Sequence, residues 1–440
     1  MYRCIPNLYA EYGRGIDKER AIPEIEDALK PVERRILLSL HDVTKGRSKK
    51  VKSARVVGDC IGRMHPHGDQ SAYGTLVQTV RRGFAIGQGN WGYESYEESA
   101  PAAMRYTEVG TNEFLIKLAF EFHKQVPTHD PEELGYQQAR YLASPIPIGL
   151  IGNRLTYGIA FNTCLIPQYN LMDLLNRLAY IVGIWPQDQP EPIPIPVIYD
   201  YNVYEEKPGD AKKLFTLGKG HLIGVPDITV DSDGVHIHGV IDSWAKLSKL
   251  QETEEEMPFK IIDASAKDVK EVICVPKGQI TQPFIDMIFK VMTKKFHFKC
   301  NFVSSEKTID ITPLDKVIQK SYDLWSYHYK QQLEAQLRGY QEKAYELSVV
   351  LVVRNILTDN PKALNRVQDI IDIYEADPRY QQAAIGSEAI KHVCSKYKIS
   401  NLIETRIDIQ SVQNKIKPIE DMLSNMAQTC ISKIGTLFGG

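Results

Sequence analysis

From Ile318 to Leu351 the apolar and aromatic residues fall at every third or fourth position: Ile318, Tyr322, Trp325, Tyr329, Leu333, Leu337, Tyr340, Ala344, Leu347 and Leu351. An α-helix turns once every 3.6 residues, so this spacing gathers all ten side chains on one stripe and predicts a helix of about ten turns. A stripe that narrow needs a partner of similar length. The chain supplies one in Ile409, Val412, Ile416, Ile419, Leu423, Met426 and Cys430, which alternate steps of three and four. Between the two runs lies a polar stretch, about 360–400, punctuated by Pro and Asp. The pattern predicts a long antiparallel coiled coil carrying a small globular tip, with Pro418 kinking the returning helix.

A coiled coil of this kind is tied to the rest of a molecule at one end, so the first 310 or so residues must build their own cores. The first hundred read as short helices. In "LKPVERRILLSL", Pro31 suits a first helical position and Val32, Ile36 and Leu40 give an apolar stripe. Ser53 is the expected N-cap of "ARVVGDCIGRM", and a tight "HPHGD" turn separates that helix from "QSAYGTLVQTVRR". "GQGNWG" holds three glycines in six residues and fits the wing of a winged helix. Further on, "SPIPIGLIGNRLTYGIAF" reads as strand and loop, and Asn170 can cap "LMDLLNRLAYIVGI". The prolines at 186, 190, 192, 194 and 196 form an extended connector. Short β-like runs then mix with two helices up to Ile311, and "DSDG" at 231–234 has the letters of a metal loop but the setting of a hairpin turn.

Net charge is −2, which alone argues against a nucleic-acid partner. The distribution reverses this. Lys45, Arg47, Lys49, Lys50, Lys52, Arg55 and Arg63 face only Asp59 between residues 45 and 63, whereas acid collects at Glu252, Glu254, Glu255 and Glu256. One phosphate-facing side with solvated acidic faces is the expected result. Seven scattered cysteines, never in C-x-x-C spacing, predict free buried thiols rather than a disulfide framework or zinc site. No run approaches the roughly 18 apolar residues of a membrane span, and the N-terminus is too mixed for a signal peptide. A cytoplasmic protein is expected.

"RMHPHGD" and "AAMRYTE" place two imidazoles, arginines and a phenol beside the predicted DNA-binding helices. A phenol has a reference pKa near 10 and is a poor nucleophile at neutral pH. A cation beside it favours the phenolate and stabilises charge building on an attacked phosphoryl oxygen. Attack on a DNA phosphodiester exchanges one phosphodiester for another, so reversal reseals the strand without nucleotide energy.

"ERAIPEIEDALKPVERRIL", "KSARVVGDCIGRMHPHGD", "GQGNWG" and "AAMRYTE" occur in that order and resemble the DNA-cleaving A-type chain of bacterial type IIA topoisomerases, gyrase and topoisomerase IV. The resemblance is close over residues 20–110, resumes in "YGIAFNTCLIPQYNL", and echoes in "LFTLGKGHLIGV" and "SNLIETRIDIQ". It implies an α+β multidomain fold. A winged-helix DNA-cleavage domain would span 1–115 and an α+β tower 116–312. An antiparallel coiled coil would take 313–358 and 401–440, with a globular exit gate at 359–400. The resemblance makes Tyr106 the nucleophile that bonds to a 5′ phosphate and Arg105 its neighbour at the scissile phosphate. Arg20 and His65 match residues that assist there. Lys30, Arg35 and His67 fall on DNA-facing or site-shaping positions, and Lys49, Lys50, Lys52 and Arg55 belong to the basic DNA-binding segment. Ile159 matches an isoleucine that wedges between base pairs and bends the duplex.

The resemblance also implies partners: double-stranded DNA, a second copy of the chain, and a B-type subunit in an A2B2 assembly. That B-type subunit would carry the ATPase and the Toprim domain that holds Mg2+, since neither a P-loop nor paired acidic ligands beside the tyrosine are evident here. The C-terminal DNA-wrapping domain of the family has no counterpart in these letters, so relaxation or decatenation is expected rather than supercoiling, and a compact or phage-encoded form within a host cytoplasm is suggested. Gln70 and Gly74 stand where the family commonly has serine and an acidic residue that anchor quinolones, so weak quinolone sensitivity is expected. "GNRLTYG" is one residue longer than its counterpart, leaving the family's DNA-contacting asparagine matched to neither Asn153 nor Arg154 alone. The competing reading is a non-catalytic, architectural winged-helix protein; the set of Arg20, His65, Arg105 and Tyr106 separates the two.

Overall fold

The structure, a computed structural model, describes residues 5–92, 100–130, 135–199, 201–239, 247, 258–264, 271–381, 385–402 and 408–438. The acidic cluster Glu252–Glu256 and the centre of "SNLIETRIDIQ" lie outside the described residues. The fold is mixed α and β in two compact units, Met1–Trp325 and Ser326–Gly440.

The first unit opens with α1 (Ile5–Ile16), which passes into a π-helical turn, Asp17–Ala21. Helix α2 (Pro31–Thr44) starts with Pro31 at its first turn, and the Glu33 carboxylate accepts from the Lys30 backbone N–H at 2.8 Å. A two-residue strand, β1 (Val51–Lys52), leads into α3 (Ser53–Arg63), and α4 (Asp69–Arg81) follows. Strands β2 (Ala85–Gln88) and β3 (Glu108–Thr111) complete a three-stranded antiparallel sheet in the order β1–β3–β2. Ile36, Leu40, Val56, Val57, Cys60, Leu76, Val77 and Val109 share one core, so the three helices and the small sheet stabilise one another. Ser53 differs from expectation. It is the first residue of α3 rather than its cap, and its hydroxyl is turned inward to accept from Thr107 Oγ1 at 2.8 Å.

A buried ion network ties this helical unit to the chain beyond it. Arg34 donates to both oxygens of Asp27 at 2.7 Å and lies 2.9 Å from Glu24. Asp27 also accepts from the backbone N–H of Leu29 and of Leu142, each at 3.0 Å, so its lone pairs are satisfied.

Beyond residue 150 a hairpin of β4 (Leu155–Ile159) and β5 (Thr163–Pro167) forms one edge of a five-stranded sheet. The order continues through Lys294–Lys299, Lys219–Val225 and Asn202–Tyr204. Asn170 caps the helix Leu171–Ile181 by accepting from the Met172 N–H at 2.8 Å. A second, four-stranded sheet contains the hairpin Asp227–Val230 and Val235–His238. "DSDG" is its turn: Asp231 Oδ1 accepts from the N–H of Asp233 at 2.8 Å and of Gly234 at 3.2 Å. Cys60, Cys164, Cys274, Cys300, Cys394 and Cys430 are free and buried.

Helix α5 (Leu314–Asp359) runs 46 residues, about 70 Å at 1.5 Å per residue. In the second unit its later turns meet the returning helices in antiparallel sense: Lys415 lies over the Tyr340 ring and Lys433 over the Tyr329 ring, each at 5.7 Å. Val349, Val353, Ile356 and Leu357 join Ile370, Tyr374, Ile390 and Leu402 in a separate core at the far end. The returning helix passes through Pro418 within Ile409–Ser424, is interrupted at Asn425, and resumes as Met426–Phe438. Among the described residues no helix is long and apolar enough to cross a membrane.

Candidate active site

Tyr106 sits in a tight turn immediately before β3, its backbone N–H donating to the Ala103 carbonyl at 2.8 Å. Its side chain is 64 % exposed. The Arg105 guanidinium lies over the ring, 4.7 Å from the centroid. Such a contact contributes about 0.5–1 kcal/mol at an exposed position, enough to orient a phenol without burying it.

What holds the turn lies beneath it. The Ser53 and Ala54 N–H groups donate to the Thr107 and Met104 carbonyls at 3.0 and 3.2 Å. Buried Thr107 donates its hydroxyl to Ser53, and the Tyr73 phenol donates to the Ala102 carbonyl at 2.6 Å while sitting 2.9 Å from Thr107 Oγ1. Gly89 supports the other side. Its φ is +98°, and a Cβ there would lie 3.2 Å from the Tyr106 carbonyl oxygen. The backbone carrying the nucleophile candidate is therefore held from α3, α4 and the glycine loop, while its side chain stands exposed. Ser53, Tyr73 and Thr107 are positioning residues that sequence reasoning missed.

A second cluster gathers His65, His67, Arg35 and Arg20. His65 is 4 % exposed. Arg35, also buried, places Nη1 2.9 Å from His65 Nδ1 and reaches Gln138 Oε1 at 3.3 Å. A guanidinium only donates, so Nδ1 is the acceptor and the neutral ring carries its proton on Nε2. Burial, then the charges of Arg35, His67 and Arg20, push the His65 pKa down to about 4. At neutral pH this imidazole is uncharged and presents an N–H donor. The His67 ring meets it edge-on at 4.4 Å. Arg35 thus shapes the site by holding His65 rather than by facing outward, while Arg20 is exposed on the π-helical turn. Arg105 is not among the charges that act on His65.

The remaining candidates spread over one side of the same unit. Lys49, Lys50, Lys52 and Arg55 are exposed where the chain enters β1 and α3. Lys50 reaches Gln88 Oε1 at 3.2 Å and Lys52 pairs with Glu108 at 2.8 Å, which ties two of them to the sheet that the Tyr106 turn leads into. The Lys30 ammonium donates to the Tyr157 carbonyl on β4. Ile159 ends that strand 81 % exposed, at the tip of the hairpin, which Asp17 anchors by accepting from the Asn162 backbone and side chain, each at 3.0 Å. Tyr157 and Phe161 are also exposed beside it, so the hairpin presents a small apolar patch rather than one isolated side chain. Gln70 and Gly74 are exposed on the first turns of α4.

The residues around Tyr106 do not fit an oxygen cage for Mg2+. Glu108, the nearest carboxylate in sequence, is already paired with Lys52, and the one group of three candidate metal ligands among the described residues contains two imidazoles.

An exposed Arg–Tyr pair on a turn held by buried hydrogen bonds, a buried neutral imidazole and an anchored hairpin with an exposed apolar tip lie in one compact unit of the chain. The chain belongs to the family of DNA gyrase and topoisomerase IV A-type chains, whose model matches residues 20–434. It is similar to the DNA gyrase A protein of Thermotoga maritima, 28 % identical over 330 residues, covering 68 % of this chain and 39 % of the relative. The DNA gyrase A protein of Haemophilus influenzae is 39 % identical over 187 residues, or 40 % of this chain and 21 % of the relative. The Lawsonia intracellularis protein of the same name is 25 % identical over 407 residues, 86 % of this chain and 47 % of the relative. The chain thus spans less than half the length of these relatives.

Proposed function

We propose that this chain is the DNA breakage-reunion component of an ATP-dependent type IIA topoisomerase. Helices α2–α4 with the β1–β3–β2 sheet act as its winged-helix cleavage domain. The α+β region to about residue 312 acts as a tower, and the coiled coil with its tip acts as a dimer exit gate. Tyr106 Oη attacks a phosphorus of one strand, forming a 5′-phosphotyrosine as the bond to the 3′ oxygen breaks. The phenol proton is lost to solvent, and the departing 3′ oxygen is protonated. Reversal reseals the strand after a duplex has passed.

Arg105 and Arg20 offset charge on the phosphoryl oxygens, and His65 donates a hydrogen bond from Nε2–H to the same group while keeping its proton. Lys30, Lys49, Lys50, Lys52, Arg55 and His67 hold the backbone, and Ile159 wedges the duplex into a bend. Two copies cut opposite strands, and a B-type partner supplies ATP hydrolysis and a Toprim-bound Mg2+, which stabilises charge at the scissile phosphate when present. The assembly is A2B2 and acts in the cytoplasm on the nucleoid or on phage DNA. The observation that carries this reading is the exposed Tyr106 under the Arg105 guanidinium, on a turn pinned by Ser53, Thr107 and Tyr73.

The test mixes the chain with a B-type partner, ATP, Mg2+ and supercoiled plasmid, then quenches with detergent. Double-strand breaks with protein on the 5′ ends, lost in Tyr106→Phe, support the reading. Attachment through another residue overturns the role of Tyr106, and DNA binding with no covalent product under any condition overturns the reading in favour of an architectural protein. Unquenched samples run beside these separate relaxation and decatenation from supercoiling.

A further inference from the structure

The last turn of α2 and the chain that follows residues 116–120 bring together two imidazoles and a carboxylate that none of the roles above employs. One ligand atom from each of His41, Asp42 and His123 lies within 4.8 Å of the others. His41 stacks face to face on Phe120, centroids 4.3 Å apart and planes 3° from parallel, and its ring is 4.8 Å from that of His123. Asp42 is held from its other side, where Oδ2 accepts from Arg63 Nη2 at 3.0 Å and from the Tyr136 hydroxyl at 3.4 Å. That leaves Oδ1 toward His41 Nδ1 at 3.5 Å, too long for a good hydrogen bond. Neither ring nitrogen of His123 has a hydrogen-bond partner among the described residues, although the side chain is half-buried.

A hydrogen-bonded packing motif would close these gaps. Here the supports lie outside the cluster and the donor atoms inside it stand apart, as the outer partners of a metal site do. We propose that His41, Asp42 and His123 bind a divalent first-row transition-metal ion of the zinc class, with water completing the coordination. Two imidazoles and one carboxylate suit such an ion and are a poor match to Mg2+. Tetrahedral zinc with bonds of about 2.0–2.1 Å sets its ligand atoms about 3.3 Å apart, so small side-chain rotations close the site. His41 and Asp42 are partly exposed, so an ion and its waters can enter. The bound ion would clip the end of α2 to the segment that follows β3, the strand directly after Tyr106. It would act as a structural tie, independent of the strand-passage reading.

The test uses the full chain, stripped with a chelator and free of DNA and partner. Co2+ is titrated first, read by its visible ligand-field absorption, and Zn2+ is then added to displace it. The expected result is one equivalent per chain, displaced by Zn2+ but not by excess Mg2+, with a rise in Tm on binding. His123→Ala and Asp42→Asn should each weaken binding at least ten-fold, while His392→Ala, an exposed histidine of the second unit, should not. If His123→Ala fails to fold by circular dichroism, His123→Asn takes its place. Absence of a Co2+ spectrum in the wild type, displacement by Mg2+, or unchanged binding in the cluster variants overturns the proposal.

Discussion

Replacing His65 with asparagine should make the first unit less sensitive to acid. In the fold His65 is buried against the Arg35 guanidinium, with a pKa pushed down to about 4 from an ordinary value near 6.5. The folded state therefore binds this proton less readily than the unfolded chain. Its contribution is fully present above pH 6.5 and is lost as pH falls toward 4. At 1.36 kcal/mol per pKa unit the complete loss is about 3 kcal/mol, and between pH 7.5 and pH 5 it is about 2 kcal/mol. Asparagine cannot titrate, and its Oδ1 can take the place of Nδ1 as the acceptor for Arg35. All four tryptophans, at 91, 185, 244 and 325, fall within Met1–Trp325, so tryptophan fluorescence during urea unfolding reports that unit alone. The measured quantity is the difference between wild type and His65→Asn in the stability lost from pH 7.5 to pH 5. A value near 2 kcal/mol is expected; equal losses in the two proteins would refute the assignment of a buried neutral imidazole. Glutamine adds a second contrast. It keeps a donor near the Nε2 position but gives up the acceptor for Arg35, so cleavage should survive better in His65→Gln than in His65→Asn, which keeps the acceptor and loses the donor.

Asp27→Ala should cost about 3–5 kcal/mol in the same unfolding assay, because it leaves the buried Arg34 short of its bidentate partner. Thr107→Val removes the hydroxyl that links Ser53 and Tyr73, and should cost about 1–3 kcal/mol while lowering the yield of covalent DNA complex more than it lowers DNA affinity. Ile159→Ala should change stability by no more than about 0.5 kcal/mol, since the side chain is exposed, yet reduce DNA bending measured by energy transfer between labelled duplex ends. Gly74 lies within α4 with open space where a Cβ would project, so Gly74→Ala should stabilise by about 0.5–1 kcal/mol. Quinolone potency in a cleavage-complex titration should be weak in the wild type and rise when Gln70→Ser and Gly74→Asp are combined.

The sequence showed most where the physics is local. Spacing along a helix is a property of neighbouring residues, so the stripe from Ile318 to Leu351 could be read directly and agrees with one continuous helix. The turn at 231–234 was equally plain, because an aspartate before glycine between two β runs has few alternatives. Contacts between distant residues were out of reach. Thr107 meets Ser53 and Tyr73 from 54 and 34 positions away, and nothing in "AAMRYTE" says that its threonine is a buried strut. Arg35 shows the same gap at the site itself. The family resemblance put it at a DNA-facing or site-shaping position without choosing between them; His65 lies 30 residues further on, and the packing of α2 against α3 turns the arginine inward to set that ring's tautomer. Pro418 lacks one donor and lies within the returning helix, which continues to Ser424 and is interrupted at Asn425, whose φ of −118° and ψ of 50° depart from helical values. A missing hydrogen bond on a helix that packs along one face can be tolerated, whereas a residue out of the helical region ends the run whatever its neighbours prefer.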